Sequence, residues 1–196
     1  MRLTRMLILV ALLPLSFSAC RTLPTGTGMP WPERRLALQG LEHYGFRGQL
    51  AAATATEGFS AALDWQQQGA ASDAQLRAPL GFGGAHLYFD GSQLQWTARS
   101  GGQVSGVAAR EAMISMLGFE PPLGSLRYWL LGVPDPRTPG EEAFDTAQRL
   151  ARLSQGEWQI NYGDYVHAGV HWLPGLVTLR HGDTRLKVHI RHWQLP

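Results

Sequence analysis

The chain has 196 residues, with 17 basic and 15 acidic side chains and one cysteine. This length suits one ordinary domain and is short for two. With 44% hydrophobic and 16% charged residues, the composition excludes an intrinsically disordered chain. Arg2 and Arg5 account for the small positive net charge, so the charge gives no indication of nucleic-acid binding. The single cysteine excludes a disulfide framework within the chain.

Residues 1–19 have the pattern of a bacterial signal peptide. Basic residues near the amino terminus precede an apolar run over 6–17, and Ser18 and Ala19 stand directly before Cys20. The run is too short to cross a bilayer as a helix, which takes about 20 residues. The segment resembles a bacterial lipobox, in which the cysteine thiol receives a diacylglyceryl group and becomes the first residue of the mature protein.

Acylation at Cys20 predicts attachment to a membrane, because two or more acyl chains hold a protein firmly. Arg21 stands where an aspartate would favour retention in the inner membrane, so we expect an outer-membrane protein of a Gram-negative bacterium that faces the periplasm. Residues 20–32 are rich in Pro and Gly, and we interpret them as the lipidated amino terminus and a tether. Residues 33–196 are predicted to form a single domain.

The first half of this domain predicts one short helix and then an antiparallel sheet. Apolar residues between Glu33 and His43 favour an amphipathic helix. In residues 57–68 apolar and polar side chains alternate, as in a strand with one buried face. That face comprises Phe59, Ala61, Leu63 and Trp65. Further strands are predicted over 45–53, 73–78, 85–89 and 93–98, separated by turns that contain glycine.

Two short helices interrupt the strands in the second half. The first covers 107–117 and is followed by Gly118, and the second covers 123–131 and is followed by Gly132. Strands then resume over 150–155, 158–162, 176–181 and 185–193. A sheet of eight or more strands with one apolar face tends to curl or close, and the helices could plug or cover it. The pattern leaves two alternatives open, a packed core and an apolar cavity.

The sequence predicts no catalytic site, no cofactor and no metal centre. The nearest match to a hydrolase nucleophile turn, Gly58-Phe59-Ser60, continues inside a strand. Glu141 and Glu142 follow a Pro-rich turn, where we expect a solvated loop. His167 and His171 are four residues apart, but the sequence shows no available cysteine or regularly spaced acidic residue to complete a zinc site with them. We therefore expect these side chains at the surface or at strand ends.

The loop R-A-P-L-G-F-G-G, from Arg77, is unusual because Leu80 and Phe82 stand among glycines and a proline. A turn normally carries Asn, Asp or Ser at such positions. Apolar side chains on a loop tip often contact a membrane or a partner. Packing of Leu80 back onto the core is the alternative.

The ordered motifs resemble the LolB family, outer-membrane lipoproteins that receive other lipoproteins from the periplasmic carrier LolA. After the lipobox, the motifs are W-P-E-R-R-L-A-L-Q-G-L from Trp31, G-F-R-G-Q-L from Gly45, G-F-S-A-A-L-D-W-Q-Q from Gly58, the A-P-L-G loop, G-F-E-P-P-L-G-S-L-R-Y-W-L-L-G-V-P from Gly118, S-Q-G-E-W-Q-I-N-Y-G-D-Y from Ser154, and the terminal L-K-V-H-I-R-H-W. Their order along the chain is more specific than any one of them.

The resemblance implies an incomplete, curved antiparallel β-barrel, mainly β with inserted helices, that encloses an apolar cavity under a helical lid. The cavity would hold the acyl chains of a lipoprotein, and Leu80, with Phe82 close by, would place this cargo in the membrane. Candidate residues of the cavity and lid are Phe59, Leu63, Trp65, Ile114, Leu117, Leu126, Trp129, Leu130, Trp158 and Ile160. The implied partners are a LolA-type carrier, lipoprotein acyl chains and outer-membrane phospholipids, with a monomeric protein, no nucleic acid and no nucleotide hydrolysis.

Two other classes of function fit parts of the sequence. A lipocalin-like binder of another lipid would share the leader, the one-sided strands and the helices. A structural outer-membrane lipoprotein would need an exposed interaction face and no cavity. We interpret the cationic residues Arg180, Arg185, Lys187 and Arg191 as a solvated strand face, with an acidic partner as the alternative.

Overall fold

The computed structural model describes residues 29–79 and 83–196, in which there are three helices and thirteen strands. The helices are α1 (Trp31–Gln39), α2 (Val107–Leu117) and α3 (Leu123–Trp129). The strands are β1 (His43–Ala53), β2 (Gly58–Gln68), β3 (Ala71–Arg77), β4 (Gly84–Phe89), β5 (Leu94–Ala98), β6 (Gln103–Ser105), β7 (Gly140–Phe144), β8 (Leu150–Gln155), β9 (Trp158–Gly163), β10 (Val166–Ala168), β11 (His171–Leu173), β12 (Leu176–His181) and β13 (Thr184–Gln194).

Eleven of these strands form one antiparallel sheet in the order β6-β5-β4-β3-β2-β1-β13-β12-β9-β8-β7. The first strand pairs with the last, so the two halves of the chain meet in the middle of the sheet. The outermost strands, β6 and β7, are not paired with each other, and the sheet is therefore open. This arrangement confirms the predicted incomplete antiparallel barrel with inserted helices.

The sheet has an apolar inner face and a polar outer face because its side chains alternate. Residues such as Leu63, Leu186 and Val188 point inward and are buried, as the alternation predicts. A β-bulge between Arg47 and Gly48 interrupts the register of β1 against β13. Bulges bend a strand and increase its twist, so this one contributes to the curvature of the sheet about its middle.

The three helices lie close to their predicted positions. Strand β2 and helix α2 match the expectations within a residue, and Gly118 ends α2 in the left-handed conformation, with φ +85°. Helix α1 begins at Trp31, earlier than predicted, because a proline such as Pro32 suits the first turn of a helix, where its missing N–H would have no partner in the helix. Helix α3 ends at Trp129, before the predicted boundary.

Edge strands β6 and β7 and the hairpin β10–β11 were not predicted. The expectation of a solvated loop at Glu141 and Glu142 was wrong, because both lie in β7. The Glu142 carboxylate accepts hydrogen bonds from Trp31 Nε1 at 2.6 Å and from Arg35 Nη1 at 3.1 Å. These contacts attach α1 to the edge of the sheet. Short polar edge strands carry no apolar alternation, so the sequence gives no signal for them.

Candidate functional site

A cavity lies between the concave face of the sheet and the helices α2 and α3. Strands β1 to β4 and β13 supply its floor, and α2, α3 and the connection between them supply its roof. The described residues that line it are Leu50, Leu63, Trp65, Ser72, Ala74, Leu76, Leu87, Phe89, Leu117, Pro121, Leu123, Leu126, Leu130, Leu186 and Val188. Ser72 is the one hydroxyl-bearing residue in this set, and its Oγ donates to Gln67 Oε1 at 2.8 Å. The lining is therefore suited to hydrocarbon.

The cavity is nearly filled by its own lining in this conformation. Its volume is about 50 Å³. Since a site needs roughly 10–15 Å³ to hold one water molecule, the space admits only a few atoms. The sequence left a packed core and an apolar cavity as alternatives. The structure has features of both, because it is an apolar core with a small residual void beneath the helices.

The structure brings half of the predicted cavity residues together around this void. They are Leu63, Trp65, Leu117, Leu126 and Leu130. The prediction missed other lining residues, including Leu50, Leu76 and Leu87. Their alternation within strands was the available signal, since it assigns a face to each residue before the partner element is known.

The other candidates lie outside the lining of the void. Ile114 is 41% exposed, and the buried residues of α2 are instead Ala109, Met113 and Leu117. The three-residue spacing of Ile114 and Leu117 predicted that both lie on the buried face of α2, but only Leu117 is buried against the sheet. Phe59 is half-buried and packs against the core.

Trp129, Trp158 and Ile160 lie in the neighbouring part of the core. The Trp158 ring is 6.0 Å from that of Trp129 and 6.1 Å from that of Phe119. The Ile160 side chain is completely buried on β9. These residues support the roof from beside the void rather than lining it.

Helix α3 is fixed to the sheet by a buried amide. The Gln155 Oε1 atom accepts hydrogen bonds from Trp129 Nε1 at 2.6 Å and from the Asp135 backbone N–H at 2.9 Å. The Nε2 atom of the same side chain donates to the carbonyl oxygens of Asp135, at 2.7 Å, and Thr138. All four bonds are at the end of β8, so they fix both the end of α3 and the segment that follows it.

Asp135 extends this network to the other end of α3. Its carboxylate accepts hydrogen bonds from Ser125 Oγ at 2.8 Å and from Arg137 Nε and Nη2 at 2.9 and 2.7 Å. Burial opposes ionisation of this carboxyl, but the bonds from Arg137 and Ser125 outweigh that effect and lower its pKa. Tyr44 donates to the Arg127 carbonyl at 2.6 Å and adds a bond from β1. Burial raises the pKa of the Tyr44 hydroxyl, so it stays protonated and keeps donating.

Helix α2 lacks such attachments. It packs on β5, β6 and β2 through apolar residues. Among the described residues, no α2 side chain makes a hydrogen bond to the sheet, and its one ion pair joins Arg110 to Glu120 at 3.2 Å, between exposed side chains. Exposed pairs of this kind contribute about 0–1 kcal/mol. Gly106 and Gly118, both at positive φ, flank the helix.

Several predicted sites lie outside the described residues. These are the leader, Cys20, Leu80 and Phe82. In the part of the chain that the structure describes, no helix is long and apolar enough to cross a bilayer. Within that part, no group of three or more His, Cys, Asp or Glu residues has the geometry of a metal site.

The fold, an open antiparallel sheet whose apolar concave face is covered by helices, is shared with solved structures of other proteins. A LolA superfamily protein from Nitrosomonas europaea superposes with a TM-score of 0.55 over 86% of this chain and 94% of its own, at 7% identity. A putative outer membrane lipoprotein-sorting protein domain from Vibrio parahaemolyticus superposes with a TM-score of 0.52 over 84% of this chain and 90% of its own, at 6% identity. At such low identity these likenesses establish the fold alone.

Sequence comparison identifies the family to which the chain belongs. The profile of the family described as "Outer membrane lipoprotein LolB" matches residues 42–193. The chain is 38% identical to the Outer-membrane lipoprotein LolB of Nitrosococcus oceani, over 84% of this chain and 83% of the relative. It is 33% identical to that of Alkalilimnicola ehrlichii, over 96% of both chains. The chain belongs to the LolB family and is an outer-membrane lipoprotein component of the lipoprotein localisation pathway.

Proposed function

We propose that this protein accepts the acyl chains of other lipoproteins from a LolA-type carrier and delivers them to the outer membrane. The observation that carries this proposal is the apolar void beneath α2 and α3, lined almost wholly by hydrocarbon side chains.

Helix α2 is the element that we propose moves to admit cargo. The void of about 50 Å³ cannot hold an acyl chain, so part of the roof has to separate from the sheet. Helix α3 is held at both ends by the bonds of Gln155 and Asp135. Helix α2 has only apolar contacts and exposed polar contacts, and Gly106 and Gly118 at its ends tolerate backbone rotation.

The energetics require a covered route for the cargo. Each buried CH₂ contributes about 0.8 kcal/mol, so an acyl chain of roughly 16 carbons contributes on the order of 12 kcal/mol. Release of such chains into water would be too slow to serve as a transfer step. The sequence has no phosphate-binding loop, and we propose transfer down a series of increasing affinities, in which each tenfold step takes about 1.4 kcal/mol.

The amino-terminal part of the chain supplies the attachment in this proposal. Residues 1–19 are removed as a signal peptide, Cys20 carries the acyl anchor, and residues 20–32 tether the domain of residues 33–196 to the membrane. The protein acts as a monomer, without enzymatic activity. Leu80 and Phe82 contact outer-membrane phospholipids during release of the cargo.

A fluorescent fatty acid provides the test of the cavity. Titration of the purified protein should give saturable binding and a blue shift of the probe, and an unlabelled fatty acid should displace it. Absence of binding would contradict the proposal and favour a scaffold. A lipocalin-like binder would bind the probe but would not take a lipoprotein from LolA, so the two carrier functions differ in the transfer assay.

A further inference from the structure

A groove of about 710 Å³ crosses the outer face of the sheet, opposite to the apolar cavity. Small exposed side chains form its floor, namely Ala51 on β1 and Ser60 and Ala62 on β2. Basic side chains stand on both sides, Arg77 on β3 and Lys187 on β13. The floor is low because these neighbouring strands carry Ala and Ser where longer side chains would fill the space.

The register explains this arrangement. Ala62 on β2 is paired with Gln49 on β1 and with Arg77 on β3, and His189 on β13 is paired with Gln49. Lys187 is paired with Ala51 in the adjacent row, toward the turns that end β1 and β3. Since neighbouring strands lie about 4.8 Å apart, the Arg77 and Lys187 backbones are about 15 Å apart.

The cations of this groove have no ion-pair partner. In residues 29–79 and 83–196, neither Arg77 nor Lys187 takes part in a salt bridge. The outer-face carboxylates of β2 and β3, Asp64 and Asp73, lie farther from the end of the sheet that carries the β3–β4 loop. Each already has a partner, since Asp64 pairs with Arg47 at 3.1 Å and Asp73 contacts His86 at 2.8 Å. Asp164 is the acidic residue among those that line the groove.

More unpaired cations continue this surface at the same end of the sheet. Arg180 on β12 is paired in register with Arg185 on β13, and both are exposed. Like charges directly opposite each other destabilise a sheet unless an anion lies between them. The acidic residues nearby are Glu57, in the β1–β2 turn, Asp183, in the hairpin turn, and Glu157, which is held by His181 at 2.9 Å. In the described part of the chain none of them forms a salt bridge with Arg180 or Arg185, so an external anion would relieve the repulsion between these two side chains.

We propose that this groove binds the phosphate group of anionic phospholipids at the membrane surface. Arginine and lysine are the usual protein ligands of phosphate, and here they face each other across a floor of small side chains. Pro79, which lines the groove, directly precedes the apolar sequence of the β3–β4 loop, so headgroup binding would direct that end of the sheet toward the bilayer. The proposal rests on delivery to a membrane in the proposed function. A concave site with cations on opposite sides fits a headgroup, which can enter between them, better than the surface of an acidic protein.

Vesicle binding tests this proposal with a chain that starts at residue 20 and carries Cys20→Ala, which retains every described residue but has no acyl anchor. We expect binding to phosphatidylethanolamine vesicles that contain phosphatidylglycerol, little binding to vesicles without it, and weakening by salt. The double variant R77Q/K187Q should bind roughly 30-fold more weakly, since each cation near an anionic surface contributes about fivefold. The variant R77K/K187R should retain binding, because it keeps both positive charges.

The matched control is R152Q/R191Q, which removes the same charge from exposed positions on β8 and β13 outside the groove. It should bind nearly as the parent does. Equal losses in both double variants, no preference of the parent for phosphatidylglycerol, or saturable binding of inorganic phosphate without vesicle binding would each overturn the proposal.

Cargo acceptance from LolA is measured separately, without vesicles. Normal acceptance by R77Q/K187Q together with weaker vesicle binding supports the lipid site. Retained vesicle binding with loss of acceptance would overturn it and assign the groove to an acidic protein surface. If the parent itself accepts no cargo, the proposed function fails, whereas its vesicle binding still decides whether the groove binds lipid.

Discussion

The indole nitrogen of Trp129 donates a hydrogen bond to Oε1 of Gln155 over 2.6 Å, which joins the last residue of α3 to the last residue of β8. Both side chains are buried. Because the same amide also bonds to the backbone of Asp135, the roof of the cavity and the sheet share one polar connection. This connection distinguishes α3, which is held, from α2, which is not.

Replacement of Gln155 by Met should therefore destabilise the protein strongly. The change keeps a similar volume but leaves the Trp129 N–H and the backbone groups of Asp135 buried without partners. We expect a loss of about 3 kcal/mol in the free energy of unfolding, measured with urea. The control Gln159→Met, at an exposed position, should change it by less than about 0.5 kcal/mol. Similar values for the two variants would show that the amide connection contributes little.

The Asp135 carboxylate should give the protein a component of stability that depends on pH. Its pKa in the folded state lies below the usual value of 3.8, so the folded state favours the ionised form. That stability is fully present above the unfolded pKa and is lost as the pH falls through the folded pKa. Asp135→Asn should cost about 2 kcal/mol at neutral pH, and the difference from the parent should shrink below about pH 4. A difference that stays constant down to pH 2 would contradict this assignment.

Filling the void should block cargo without unfolding the protein. Ala74 lies between Trp65 and Leu87 in the sheet, and its side chain lines the void. Ala74→Leu should cost about 1–3 kcal/mol through overpacking and should weaken fatty-acid binding at least about tenfold. Ala53→Leu, at an exposed position on the same sheet, serves as the control and should bind normally. Unchanged binding by Ala74→Leu would place the acyl site elsewhere.

Leu80 and Phe82 should act after cargo has been accepted. Leu80→Glu should leave folding and acceptance from LolA intact but slow the release of cargo into liposomes, because a charged side chain resists entry into the bilayer. Phe82→Glu, tested in parallel, shows which of the two side chains enters the membrane. Normal insertion by both variants would remove this loop from the mechanism.

The repetitive part of the fold could be predicted from the sequence. Alternation of apolar residues in β2 and β13 identifies the buried face before the partner strands are known, and Gly118 marks the end of α2. Strand β7 could not be found this way. It is a polar edge strand, and the contacts of Glu142 with Trp31 and Arg35 depend on residues more than one hundred positions away.

Only part of the candidate site could be predicted from the sequence, again because some of its contacts join residues that are distant in the chain. Leu117 and Leu126 could be assigned to a cover because helical spacing places them on apolar faces. The failure at Ile114 arose because that spacing does not show which side of a short helix meets the sheet. The Gln155 connection has no sequence signal, since a single buried amide between polar neighbours resembles an exposed one.

The transfer of a lipoprotein from LolA through this protein to a membrane is the decisive measurement for the proposed function. Purified protein that starts at residue 20 and carries Cys20→Ala is mixed with a LolA–lipoprotein complex, and liposomes are then added while the position of the cargo is followed. We expect cargo to move from LolA onto this protein without nucleotide and then into the liposomes. Cargo that stays on LolA would show that this protein is not a lipoprotein acceptor.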